Sequence, residues 1–247
     1  QATVSTIRPL GSGLINDTYL VVTEEKDQPD YVLQRINHEV FPDVDMVMRN
    51  IAIVTRHIRE RLIAQGETDL RHHVLEFLPT VEDANRLYVE VDGHYWRLMV
   101  FIDHAVTKQE VNPESAHAAG QSFGHFQAML ADVPCQLGET IKDFHNMEFR
   151  IEQLKGAGRF DEPAVQELLE QLGKRAEAMT EAERLGREGK LPKRVCHCDT
   201  KVNNMLFSED GSEVLCVIDL DTVMPSFIFS DYGDFLRTAA STAAEDD

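Results

Sequence analysis

Positive charge is scarce in this chain. Only 24 Lys and Arg residues stand against 43 Asp and Glu, a formal net charge of −19 over 247 residues. Nucleic-acid binding needs clustered basic side chains on the phosphates, so this balance argues against a nucleic-acid partner. It argues equally against an anionic membrane surface. Cysteine is scarce too: Cys135, Cys196, Cys198 and Cys216, with no C-x-x-C pair. A disulfide framework is not indicated, and reduced thiols in a cytoplasmic protein are the plain reading. A zinc site at Cys196-His197-Cys198 is disfavoured, because neighbours on a strand point to opposite faces and the three side chains cannot converge. No apolar run approaches a membrane span and no secretory signal is visible. The phosphate-loop pattern G-x-x-x-x-G-K-[ST] and the dinucleotide fingerprint are both missing. What remains is a chain with 43% hydrophobic and 27% charged residues, as a globular protein requires.

Periodicity divides the chain. Residues 6–10, 18–22, 31–36, 74–78, 86–91 and 95–101 read as strands. A single amphipathic helix interrupts them, with Val47, Ile51, Val54, Ile58 and Leu62 on one stripe. Beyond Pro113 the pattern turns helical. One stripe runs through Ala116, Ala119, Phe123, Phe126 and Leu130, another through Val165, Leu168, Leu169, Leu172, Ala176 and Met179. Asp143-Phe144-His145-Asn146 reads as a loop opening a helix. Strands return as a hairpin over residues 205–207 and 214–218. The switch between residues 101 and 113 predicts two lobes, 1–102 and 103–247, in an α+β architecture.

The chemistry concentrates in His197-Cys198-Asp199-Thr200-Lys201-Val202-Asn203-Asn204, followed fifteen residues later by Asp219 at the end of Val217-Ile218. This is H-x-D-x-x-x-x-N followed by a strand ending in Asp, the spacing of a kinase catalytic loop and metal-binding strand. Phosphoryl transfer needs one carboxylate facing the attacking hydroxyl, and a carboxamide and second carboxylate on the metal. Asp199 is the candidate base, with Asn204 and Asp219 the candidate ligands of Mg2+. Lys201, two residues past Asp199, can reach the transferred phosphoryl group as a point charge. His197 is read as a prop for the loop. Asp221 falls on the face of Asp219 if the strand continues, beside metal or substrate.

Gly11-Ser12-Gly13 lies between the first two strands, where glycine lets backbone amides approach phosphates. The third strand, Val32-Leu33-Gln34-Arg35-Ile36, has no lysine to clamp the phosphates of ATP. Arg35 offers a permanent cation and Gln34 only hydrogen bonds. Alternation admits one of them to the inner face. Glu60 on the following helix is a candidate partner for that cation.

In order, these motifs resemble the aminoglycoside phosphotransferase and choline kinase superfamily, small-molecule kinases that look like protein kinases in fold. Four stretches resemble, more narrowly, the N-acetylhexosamine 1-kinases. They are Gly13-Leu14-Ile15-Asn16-Asp17-Thr18-Tyr19, residues 32–37 with Val40-Phe41, residues 219–225, and Asp231-Tyr232-Gly233-Asp234-Phe235-Leu236-Arg237. The resemblance implies a bilobal kinase-like fold, with an antiparallel-sheet N-lobe and a mainly helical C-lobe. It implies ATP and Mg2+ as cofactors, adenine against the backbone near Met99 and Phe101, and Asp231, Asp234 and Arg237 towards the acceptor. The implied reaction phosphorylates a sugar hydroxyl, most particularly the anomeric hydroxyl of an N-acetylhexosamine. The rivals are a choline, homoserine or aminoglycoside kinase, and a pseudokinase that binds without chemistry.

Overall fold

The computed structural model describes residues 2–239 apart from 12, 110, 111, 135 and 159. Cys135 and Ser12, both singled out above, therefore lie outside the described residues.

Five antiparallel strands open the chain: β1 (Val4–Pro9), β2 (Asp17–Thr23), β3 (Tyr31–Ile36), β4 (Val89–Val91) and β5 (His94–Val100), in spatial order β1-β2-β3-β5-β4. Helix α1 (Val44–Ala64) follows β3. Its start is fixed by Asp43, whose side chain accepts the Met46 N–H at 2.9 Å. Every member of the predicted stripe is buried, with Val44, Met48 and Asn50 beside it. The short helix α2 (Leu70–His73) comes next. The strand expected over residues 74–78 is reduced to one bridge, Phe77 to Met99, and the segment instead follows the edge of β5 through scattered backbone bonds. The expected strand 86–91 shortens to β4.

The second part holds β6 (Ala105–Val106), α3 (Pro113–Met129), α4 (Met147–Gly156), α5 (Pro163–Met179) and α6 (Glu181–Arg187). Then come β7 (Arg194–Cys196), β8 (Met205–Ser208), β9 (Val214–Val217), β10 (Met224–Ser226) and α7 (Ile228–Ala239). Asn112 caps α3 reciprocally with Ser115, and Pro113 occupies the first turn, where its missing N–H costs nothing. The stripe expected on α5 forms but is not covered: Leu168 and Leu172 are exposed. The connecting segment contributes β6, which pairs with β8 beside the β8–β9 hairpin.

The core does not respect the boundary between the lobes. One buried cluster joins Ile36, Phe41 and the α1 stripe to Phe126, Leu130, Leu220 and Val223. Asn50, fully buried on α1, adds polar ties: its amide donates to the carbonyls of Gly138 and Val223, and its Oδ1 accepts the Gly138 N–H. Helix α1 is thus packed against both lobes. Any element moving against the rest has to break this shared packing.

Candidate active site

The catalytic loop follows β7. Asp199 stands on it with its carboxylate one-fifth exposed. The Asn204 amide donates to Asp199 twice, to Oδ2 and to the backbone carbonyl, each at 2.9 Å. Lys201 Nζ lies 3.3 Å from Asp199 Oδ2. The loop's backbone is held from beneath by α7. Asp231, 2% exposed, accepts the N–H of His197 at 2.9 Å and of Cys198 at 2.8 Å. The Gln127 amide also donates to it, and its own carbonyl accepts the Thr200 hydroxyl. Asp234 accepts the Thr200 N–H at 2.7 Å, and its other oxygen takes the Arg237 guanidinium. The acceptor-side reading of this segment therefore needs correction. Asp231 and Asp234 spend their oxygens on the loop's amides, because a loop without secondary structure must find partners for its buried N–H groups. Arg237 serves Asp234 from the next turn of the helix.

His197 is fully buried, its ring against Phe123 and Phe126. Nδ1 accepts the Asp199 N–H and Nε2 faces the Ile218 carbonyl at 2.9 Å, which assigns the Nε2–H tautomer. The ring props the loop against the strand that carries Asp219. Cys196 and Cys198 turn the other way, into a cluster with Met224. Burial pushes the Cys196 thiol up to about 12 and keeps Cys198 protonated as well.

Asn204 and Asp219 come together through the β8–β9 ladder, where the Ile218 N–H donates to the Asn204 carbonyl at 2.9 Å. Asp219 itself adopts a left-handed backbone, φ 59°, a conformation that non-glycine residues keep mainly where the surroundings enforce it. Its residue surface is exposed, while neighbouring atoms crowd the carboxyl. Lost hydration, then the Asp221 and Asp199 carboxylates, push its carboxyl up to about 6. A divalent cation suits this place. The donors are hard oxygens, the Asn204 amide nitrogen is already committed to Asp199, and the carboxylates of Asp221 and Asp199 add negative charge around Asp219. Among the described residues no three His, Cys, Asp or Glu side chains cluster to hold a metal alone.

Asp221 departs from its expected place. It is 2% exposed and turned towards the sheet. Arg97 on β5 grips it with two bonds, 2.5 and 3.1 Å, and the Asn16 amide donates to it at 2.7 Å. A carboxylate so buried is tolerable only when paired, and both oxygens of this one are engaged by donors from the sheet side. Arg35 also needs correction as a nucleotide contact. Register puts Gln34 opposite Arg97 on the inner face, and alternation turns Arg35 outwards, where it pairs with Asp17 in solvent. Glu60 is exposed on α1 and faces solvent. The sequence reading missed Arg97 and Asn16. A charged residue between Trp96 and Leu98 in an apolar strand was the available signal for Arg97.

Over the cleft, Gly11 takes φ 74°, which only glycine adopts readily, while a side chain at Gly13 would meet nothing closer than 3.6 Å. Met99 is buried in the core. The Phe101 backbone is tied to the first lobe, its N–H on the Asp30 carbonyl and its own carbonyl accepting from Arg71. On the other side of the catalytic loop a cavity of about 410 Å³ is lined by Phe144, His145, Cys198 and Ser226. His145 stacks on Phe144, and its buried Nδ1 has no hydrogen-bond partner among the described residues.

An antiparallel sheet with one long helix, joined by a short connector to a helical part that carries H-x-D-x-x-x-x-N and, past a hairpin, Asp219, is the protein-kinase-like fold. Solved structures agree in fold. An aminoglycoside phosphotransferase from Alicyclobacillus acidocaldarius is similar at a TM-score of 0.59 and 16% identity, over 95% of this chain and 67% of its own. The choline kinase LicA from Streptococcus pneumoniae is similar at 0.52 and 12%, over 98% and 72%. Amicoumacin kinase hAmiN, in complex with AMP-PNP, Ca2+ and Ami, is similar at 0.61 and 12%, over 96% and 66%. The chain thus spans about two thirds of the length of these proteins. The sequence profile of the phosphotransferase enzyme family matches residues 6–247, and the chain belongs to that family.

Proposed function

We propose that this protein is an ATP-dependent small-molecule kinase that phosphorylates a sugar hydroxyl, the anomeric hydroxyl of an N-acetylhexosamine in particular. The observation that carries the kinase reading is the convergence on one loop of Asp199, Lys201 and Asn204, with Asp219 one ladder step away. Asp199 orients the acceptor hydroxyl and takes its proton as the bond to phosphorus forms. Asn204 holds Asp199 in place through its amide and offers its oxygen to the cation. Lys201 is close enough to Asp199 to meet the transferred group. Bound Mg2+ would neutralise charge on the triphosphate, held by Asn204 and Asp219. A nucleotide analogue in the similarly folded amicoumacin kinase supports reading the cleft as an ATP site.

The sugar assignment rests on the four stretches that resemble N-acetylhexosamine 1-kinases. The cavity at Phe144 and His145 supports it, since an aromatic face and an imidazole suit a sugar ring. An acidic chain has no evident use for a nucleic-acid partner, and among the described residues no helix is long and apolar enough to cross a membrane. A cytoplasmic enzyme acting on a small metabolite fits both.

The test is an ADP-release assay over N-acetylglucosamine, N-acetylgalactosamine, choline, homoserine and an aminoglycoside. Turnover with the amino sugars and its loss in Asp199→Asn, with unchanged thermal unfolding, is the expected result. Preference for choline or an aminoglycoside overturns the sugar assignment. Substantial turnover by Asp199→Asn overturns the role of the base. Gln34 at the inner position of β3 favours one rival, a pseudokinase, which would bind MgATP and release no ADP with any acceptor.

A further inference from the structure

We propose that Arg97 is a positioning residue that ties the metal-binding turn at Asp219 to the hairpin covering the nucleotide, through Asp221 and Asn16. The inference rests on reading the cleft as a nucleotide site.

The inner face of β3 offers Gln34 where a lysine would supply charge. An amide cannot neutralise a carboxylate, so the charge has to come from elsewhere. Arg97 faces Gln34 directly across the β3–β5 ladder. Its guanidinium is 3% exposed and fully bracketed. Nε and Nη2 donate to Gln34 Oε1 at 3.0 and 2.8 Å, Nη1 and Nη2 donate to the two oxygens of Asp221, and the Phe77 ring centroid lies 5.4 Å from the guanidinium carbon. Arg8 shares this face of the sheet, but on the exposed edge strand. Gln34 passes the arrangement on, its amide donating to the Thr18 hydroxyl on β2 at 3.0 Å.

The other end of the link is as well defined. Asp221 belongs to the single 3-10 turn Leu220–Thr222 that begins at Asp219. One of its oxygens takes both Arg97 and Asn16. Asn16 sits where the β1–β2 loop re-enters β2, and its Oδ1 accepts the Asn37 N–H at 3.0 Å. One carboxylate from the C-lobe therefore gathers a cation from the middle of the N-lobe sheet and an amide from the end of the glycine-bearing loop. The planar two-pronged grip fixes orientation as well as distance, which a lysine cannot do. Displacing Arg97 should free the turn and the loop together.

A different role for Arg97 would be a direct grip on the phosphates, with Asp221 merely storing it. The two roles predict opposite behaviour for Asp221→Asn. Binding of MgADP, followed by calorimetry, and backbone hydrogen exchange of the nucleotide-free protein separate them. If Arg97 is a positioning residue, Arg97→Met, Arg97→Lys and Asp221→Asn each weaken MgADP by about tenfold. The double variant Arg97→Met/Asp221→Asn is then no worse than either single one. Exchange rises in residues 10–17 and 219–223 at once. Asn16→Ala, which leaves the buried pair intact and so is expected to fold, releases residues 10–17 alone. If Asp221→Asn binds MgADP as well as or better than the parent while Arg97→Met loses it, the phosphate grip is correct and the proposal is overturned. Unchanged exchange at the loop in Asn16→Ala and in Arg97→Met also overturns it. Should the parent protein not bind MgADP, the nucleotide reading fails, while exchange still decides whether the link exists.

Discussion

Asp221 and Asp231 are equally buried carboxylates, each 2% exposed, one on either side of β10, and the fold satisfies them in opposite ways. Asp231 is held by two backbone N–H groups and one amide, all from its own lobe. Asp221 is held by a guanidinium and an amide that both come from the other lobe. The loop carrying Asp199 is thus anchored within the C-lobe. The turn after Asp219 is anchored there too, its Thr222 hydroxyl donating to the His197 carbonyl at 2.8 Å, and through Asp221 it is tied to the sheet as well. The two carboxylates therefore differ in reach: one serves its own lobe, the other adds a tie between the lobes.

The largest effect that tests this contrast is on Asp231. Asp231→Ala would leave the His197 and Cys198 amides and the Gln127 side chain without their acceptor. Each unpaired buried group costs about 1–3 kcal/mol, so a loss of about 3 kcal/mol or more is expected in urea unfolding. Hydrogen exchange should rise at residues 197–200 and stay unchanged at residues 10–17. A loss below about 1 kcal/mol, or loosening of the β1–β2 loop, would remove the distinction between the two anchors.

Part of this organisation was legible in the sequence. The spacing of His197, Asp199, Asn204 and Asp219 pointed to residues that the fold does bring together, because they lie on one loop and the adjoining hairpin. The α1 and α3 stripes were legible because burial on one helix face imposes its period. The segment 74–78 was not, since a strand needs a partner along its length and the edge of β5 offers it one bridge. The inner residue of β3 was undecided for a related reason: alternation says that Gln34 and Arg35 oppose, and only the register with β2 and β5 says which faces in. Arg97 and Asn16 escaped notice because their partner lies 124 and 205 residues away. The anchoring by Asp231 and Asp234 was not legible because nothing local reveals that the amides of residues 197–200 need partners.

A smaller effect, of opposite sign in the two regions, comes from two histidines. His72, on α2 beside the connector, binds Asp69 and reaches Asp103 at 2.8 Å. Hydrogen bonding to Asp69, and secondarily to Asp103, outweighs partial burial and raises its pKa. Its contribution is therefore fully present below about pH 6.5 and is lost as pH rises through the folded value. His145 in the C-lobe is different: burial lowers its pKa, against the opposing pull of Asp234 and Asp231. It stabilises above about pH 6.5, and that contribution is lost as pH falls through its folded value. Unfolding of His72→Gln and His145→Gln between pH 5 and 8.5 should show it. The first variant should lose most against the parent at low pH, by about 1 kcal/mol or less because the site is partly solvated. The second should flatten the parent's decline below pH 6.5. Parallel curves for both variants would mean that neither ring senses its surroundings as described.

The smallest expected effect bears on which cation faces the cleft. Arg35 and Arg97 lie on neighbouring strands, each paired with an aspartate, and differ in face. The Arg35–Asp17 pair is 41% and 45% exposed at its two side chains. Exposed pairs contribute about 0–1 kcal/mol and are screened by salt. Arg35→Ala should therefore change unfolding by no more than that, with the difference shrinking in 0.5 M NaCl, and should leave MgADP binding as it is in the parent. Arg97→Met, one strand over and 3% exposed, should weaken MgADP by about tenfold whatever the salt. If Arg35→Ala weakens the nucleotide as much as Arg97→Met does, the inner face of the sheet has been assigned to the wrong residues, and the link from Arg97 to Asp221 loses its functional meaning.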